Sequence, residues 1–169
     1  KIRRTQPTEN VIDLLASRID GLPNESREML ELAACVGNRF NATTLVTIAE
    51  TDLNEIHRSF LSPLRQGLIE AAPNNEYAFC HDRVQEAAYR RIPDDRRNQL
   101  HLHIGTLLLQ QGKGDPAGEH LFDITDHLNH ALNLVTPHSQ RHRFARLNLD
   151  AANRARRSAA FEAALRYFN

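Results

Sequence analysis

Nine histidines and two cysteines are the side chains of this 169-residue chain best suited to moving protons, holding metals or attacking electrophiles. His81 has the most pointed setting. It stands in Phe79-Cys80-His81-Asp82, where an aromatic-rich extended run gives way to a charged helical pattern. An imidazole there suits four roles: helix cap, metal ligand, general base, or hydrogen-bond donor to something bound elsewhere. A base needs a nucleophile, and no nearby Ser, Cys or Lys has a triad-like context. Cys80 adjoins His81 in sequence, so strand alternation turns the two side chains to opposite faces. Position alone predicts a capping role for His81, with its ring partly buried between strand pair and helix, and a cap from Asp82 for the helix that follows. Gln85 and Tyr89 lie four residues apart on one face of that helix, as an interface with another domain or as plain surface.

A second group is His120, Asp123, His127 and His130, spaced by three, four and three residues along one helical face. Zinc or a two-metal centre takes such ligands. A closed site draws ligands from more than one segment, however, and no second strong cluster is present. His101 and His103, two apart, diverge on a helix. We therefore expect no metal site, and a polar flank to an apolar seam, with His127 bonding across to a neighbouring helix.

The elements that must position these residues are mostly helical. Val11, Ile12, Leu15 and Ile19 mark a helix that Thr8 caps and Gly21 ends; Asn24 caps a second, with Met29, Leu30, Ala33 and Ala34 inward and Gly37 closing it. Leu45, Ile48 and Ala49 mark a third. Asp52 caps a fourth with Ile56, Phe60 and Leu64 on one face, and Pro63 disturbs its last turn. Residues 68–72 and 76–80 read as one hairpin about Pro73-Asn74-Asn75. Three helices before a hairpin is the order of a winged helix. Helices follow over 82–91 and 94–111, then, after the loop GKGDPAG, a segment with Leu121, Ile124, Leu128, Ala131 and Val135 on its seam. A long helix opening at Pro137 and a last one, AAFEAALRYF, complete the pattern.

Composition limits the function. Lys plus Arg and Asp plus Glu both number 21, giving no net charge, and a nucleic-acid binder usually shows a basic excess. The helix over 52–66 sets His57, Arg58 and Arg65 against Asp52 and Glu55, and the turn Pro73-Asn74-Asn75-Glu76 lacks Lys and Arg, so DNA binding is not expected. Arg141, Arg143, Arg146, Arg154, Arg156 and Arg157 outnumber Asp150 on one helix, as a solvated face or as a dock for an acidic partner. Apolar runs fall far short of the roughly 20 residues that span a bilayer. The N-terminal residues carry charge without an apolar stretch, and buried free thiols at Cys35 and Cys80 suit a reducing cytoplasm. The chain begins at Lys1 and its last helical pattern runs to Asn169, so we expect a longer parent. No phosphate-cradling Gly-Lys-Ser/Thr loop, His-Arg-Asp loop or glycine-rich lid is present, so no catalysis is expected from this chain by itself.

Two resemblances join these readings. Ala152, Phe161, Ala164 and Phe168, at relative positions 0, 9, 12 and 16, are similar to the small and aromatic positions of a tetratricopeptide repeat; a generic helical hairpin is the alternative. The runs LPNESREMLELAACVGNRF, LSPLRQGLIEAAPNNEYAFCHDRVQEAAYRRIP and FDITDHLNHALNLV resemble the helper region of a STAND-type signal-transduction ATPase. The likeness is to bacterial multidomain proteins in which that ATPase sits between a serine/threonine-kinase-like domain and a GAF–histidine-kinase unit. It covers about residues 9–168, most specifically through FCHDRVQEAAY and FDITDHLNHALNL.

The resemblance implies a mainly α fold: linker 1–8, winged-helix subdomain 9–92 with one β-hairpin, and an α-helical, tetratricopeptide-like array over 93–169. It implies a cytoplasmic, non-catalytic segment that senses nucleotide state. ATP or ADP would be bound mainly by an upstream P-loop core, and His81 would match the family's histidine that touches the β-phosphate of ADP. The implied partners are that core, downstream sensor and kinase domains, and a protein on the helical array, with no membrane and no nucleic acid. A helical-repeat interaction scaffold is the alternative function, and a DNA-binding winged-helix regulator ranks behind it.

Overall fold

Helices and one small sheet account for the regular structure in the computed structural model, which describes residues 7–111, 120–135 and 138–168. The fold is mainly α. The chain divides into two units, residues 1–94 and 95–169.

In the first unit α1 (Pro7–Asp20) and α2 (Asn24–Val36) precede a short strand, β1 (Arg39–Asn41). Then come α3 (Ala42–Ala49), α4 (Leu53–Arg65), β2 (Ile69–Ala72), β3 (Glu76–Phe79) and α5 (Asp82–Arg90). The sheet is antiparallel in the order β1-β3-β2. Asp52 caps α4 as expected, accepting from the amides of Asn54 and Glu55 at 2.8 and 3.0 Å. Pro63 is accommodated in the last turn, and α4 ends two residues on. The hairpin turns through Asn74 and Asn75 at φ of 62° and 60°, left-handed angles that asparagine tolerates better than most residues.

Three sequence expectations are corrected here. Thr8 lies inside α1, and Asn24 is the first residue of α2 rather than its cap, which is Pro23. Asn24 instead bonds along its own helix, to Glu28 at 2.8 Å and from Arg27 at 2.5 Å. The hairpin is also not the whole sheet, because β1 pairs Arg39 with Ala78 and Phe40 with Tyr77. Phe40 joins an aromatic cluster that ties sheet to helix: its ring lies 5.6 Å from Phe60 of α4 and 5.4 Å from Phe79 of β3. Burying several such rings contributes a few kcal/mol apiece, about 25 cal/mol per Å² of apolar surface.

The second unit carries most of α6 (Asp94–Gln111), then α7 (Leu121–His130), a 3₁₀ turn (Leu132–Leu134), α8 (His138–Arg157) and α9 (Phe161–Phe168). The predicted seam is its core: Leu121, Ile124, Leu128, Ala131 and Val135 are all buried, with Phe144, Leu147, Ala151 and Ala152 from α8. Ala164 and Tyr167 bring α9 onto that core. The repeat-like aromatics do not fill the gap: Phe161 is 68% and Phe168 51% exposed, and Tyr167 is inside. With Ala164 and Tyr167 set against the core, positions 161, 165 and 168 fall along the flank of α9 and stay largely exposed. The loop GKGDPAG, Pro137 and residues 1–6 of the expected linker lie outside the described residues; residues 7 and 8 are helical.

Candidate functional site

His81 is delivered to the surface by a braced strand. Just before it, the Phe79 amide donates to the Asn38 carbonyl at 2.9 Å and the Cys80 amide to the Leu68 carbonyl at 3.1 Å. His81 itself is extended, with φ −150° and ψ 146°, and its carbonyl accepts from the Val84 amide at 2.8 Å, starting α5. Its backbone is therefore the helix N-cap, but its side chain makes no capping bond and is exposed. This corrects the expectation of a half-buried capping ring. Asp82 is not the cap either; it is the first helical residue, an acidic group in the first turn where the positive helix end favours it.

The helix behind His81 is pinned. Val84, Ala87 and Ala88 are buried, and the Gln85 side chain donates through Nε2 to the Ala34 carbonyl at 3.1 Å, closing the end of α2. Gln85 is thus a brace within the unit. Arg91, just past α5, reaches Asp20 at 2.6 Å and Glu31 at 3.2 Å, tying α5 to α1 and α2. The outer face carries Arg83 and Arg90, each 2.5 Å from Glu86. The hydrogen bond from Arg83, aided by both guanidinium charges, holds the Glu86 carboxyl below the usual range. Cys35 is buried and Cys80 half-buried, and neither forms a disulfide. Burial, then the Glu70 carboxylate, pushes the Cys80 thiol up, which keeps it protonated and a poor nucleophile beside His81. The arrangement offers an imidazole on a rigid stalk, suited to hydrogen bonding and charge recognition.

The second histidine group is dispersed by the fold. His120 stays exposed, 3.6 Å from Asp123. His127 turns inward and meets His101 of α6, Nδ1 to Nδ1, at 2.8 Å. His130 sits 2.8 Å from the Asp126 carbonyl through Nδ1. Among the described residues no group of three or more His, Cys, Asp or Glu side chains could hold a metal ion. The cross-helix bond of His127 follows the sequence expectation, whereas its partner could not be named because 26 residues separate them. His101 and His103 do diverge, one buried and one exposed.

The second unit also has an open cleft of about 1030 Å³ between α7, α8 and α9, which no sequence motif announced. Asn129 and Asn148 bond reciprocally there, both at 2.9 Å, and Leu132, Leu149 and Phe168 present apolar surface. The arginines of α8 are partly engaged: Arg141 bonds the Val135 carbonyl at 2.9 Å, Arg146 lies 3.6 Å from Asp150, and Arg154 sits over the Phe122 ring.

Comparison with known proteins adds one lead. Hybrid signal transduction histidine kinase G of Dictyostelium discoideum is 23% identical, over 99% of this chain and 6% of that protein. The chain is similar to part of a signalling kinase. That distant likeness supports a role in signal transduction. The chain spans about 6% of the relative's length, so that protein's whole activity does not transfer. No protein-family model matches the chain, and no solved structure matches it. No helix among the described residues is long and apolar enough to cross a membrane.

Proposed function

We propose that the chain is a regulatory, non-catalytic segment of a multidomain signal-transduction ATPase of the STAND type, working in the cytoplasm. The first unit is its winged-helix subdomain, which closes on ADP held by a neighbouring P-loop core. His81 donates to the β-phosphate and so reports that ADP is present. The second unit starts a tetratricopeptide-like array that passes the change to sensor and kinase domains or receives a protein partner.

One observation carries this reading: the His81 side chain is exposed and makes no capping bond to its own helix, so it remains available to a ligand. The first turn of α5 adds the partial positive charge of a helix N-terminus, which favours a phosphate. The order of helices and strands, with β1 paired to the second strand of the hairpin, agrees with a winged helix. The likeness to a hybrid histidine kinase agrees with a signalling parent. In the intact parent, His81→Ala should lower the ADP that co-purifies with the protein and raise basal output. Unchanged ADP content would count against the role.

A second reading, an interaction scaffold independent of nucleotide, is favoured by α9. Phe161, Leu165 and Phe168 are exposed in a row, an apolar stripe that a partner or a further repeat would cover. Changing Phe161 and Leu165 to Ser in the parent separates the two readings. The scaffold reading predicts lost output with ADP retention intact.

A further inference from the structure

His101 of α6 and His127 of α7 are 5% and 8% exposed, and their Nδ1 atoms stand 2.8 Å apart. At that distance one nitrogen carries the proton and the other accepts it, so the rings hold opposite tautomers. His130, nearly one turn along α7, lays its ring against His101 at 4.5 Å with 21° between planes. The helices meet closely at this point. A Cβ on Gly105 would stand 2.8 Å from Leu128 Cδ2 and 3.2 Å from His127 Cβ, so only glycine lets α6 in.

We propose that this cluster is a proton-operated latch: neutral, it holds α6 on α7, and proton uptake releases that junction. The neutral pair satisfies two buried nitrogens with one bond. Protonating the acceptor nitrogen removes its lone pair and sets two N–H donors face to face. A proton added elsewhere on either ring keeps the bond but places a cation where burial disfavours it.

The surrounding charges mostly resist protonation. Near His101, any proton taken up by His127 or His130 of α7 would repel a second one, and the Arg97 guanidinium of α6 adds to that repulsion. Asp123 and Asp126 of α7 pull the other way on His127, but both are substantially exposed, and Arg166 of α9 lies 3.5 Å from Asp126. From α8 come neutral Asn148, bonded to Asn129, and Arg154 over Phe122. Burial first, then the neighbouring cations, holds the His101 ring down to about 3. Burial likewise holds His127 below its ordinary value, against the pull of Asp123.

Both folded-state values lie below the roughly 6.5 of an unconstrained histidine, so the opened junction binds protons first. The latch is whole above that value and weakens as pH falls toward the folded value, by about tenfold in the opening equilibrium per histidine per pH unit. The test is amide hydrogen exchange on the whole chain at pH 7.5 and 5.5, corrected for intrinsic rates, with imidazole NMR shifts followed alongside. The expected result is tenfold or more loss of protection in α6 and α7 relative to α2 and α4, with the buried His101 ring neutral in the closed state at pH 5.5. In the double variant His101→Phe, His127→Leu the pH response should vanish. A closed-state ring that titrates near 6.5, or protection in α6 and α7 that does not change in the native chain, overturns the latch whether or not the variant folds.

Discussion

The Arg91 guanidinium joins Asp20 and Glu31 across three helices, and Glu31 is only 9% exposed. Removing the arginine leaves a nearly buried carboxylate without that partner. Arg91→Ala should therefore lower the stability of the first unit by about 2 kcal/mol, since hydrogen bonds to charged groups are worth roughly 1.5–3 kcal/mol; urea unfolding at neutral pH measures it. Gln85→Ala should cost about 1 kcal/mol through the lost bond to Ala34. Neither brace was legible in the sequence: Arg91 and Glu31 are 60 residues apart, and Gln85 stayed open between interface and surface because a helical face alone does not say which neighbour it meets. His81 was legible as a junction residue, from the change of periodicity at Cys80. Its exposure was not, because a cap and a free donor occupy the same position in the chain.

At the scale of elements, Gly105 decides how close α6 comes to α7. Alanine in an exposed helix ordinarily gains about 1 kcal/mol over glycine. Here its methyl would press on Leu128, so Gly105→Ala should instead destabilise the second unit by about 1–3 kcal/mol, the usual cost of overpacking. A rise in thermal midpoint would show that the helices part easily. On α9, Tyr167→Ala should cost about 3 kcal/mol, whereas Phe161→Ser should stay within about 0.5 kcal/mol in the isolated chain. The seam Leu121–Ile124–Leu128 was readable because helical spacing repeats locally. Strand β1 was not: Arg39-Phe40-Asn41 is too short for alternation to register, and it exists because residue 40 finds residue 77. The repeat-like aromatics misled for a related reason. Spacing fixed their positions on α9, but the packing of Ala164 and Tyr167 fixed the rotation of the helix.

For the molecule, the division after residue 94 predicts that residues 1–94 fold alone, with cooperative urea unfolding and the far-ultraviolet signal of a helical protein. A non-cooperative transition would show that the sheet needs the second unit. The mainly α architecture was legible throughout, since helical periodicity and the hairpin turn are local signals. The role of the molecule was legible only through resemblance, because no residue pattern within these 169 residues builds a whole nucleotide site by itself. That makes the intact parent the place to test it. The most direct measurement is the dissociation rate of a fluorescent ADP analogue from the parent, native and His81→Ala, with His103→Ala as control. Loss of one hydrogen bond to a charged phosphate should speed release from His81→Ala by about tenfold or more and leave the control unchanged. Equal rates in all three would contradict the proposal that His81 holds the nucleotide.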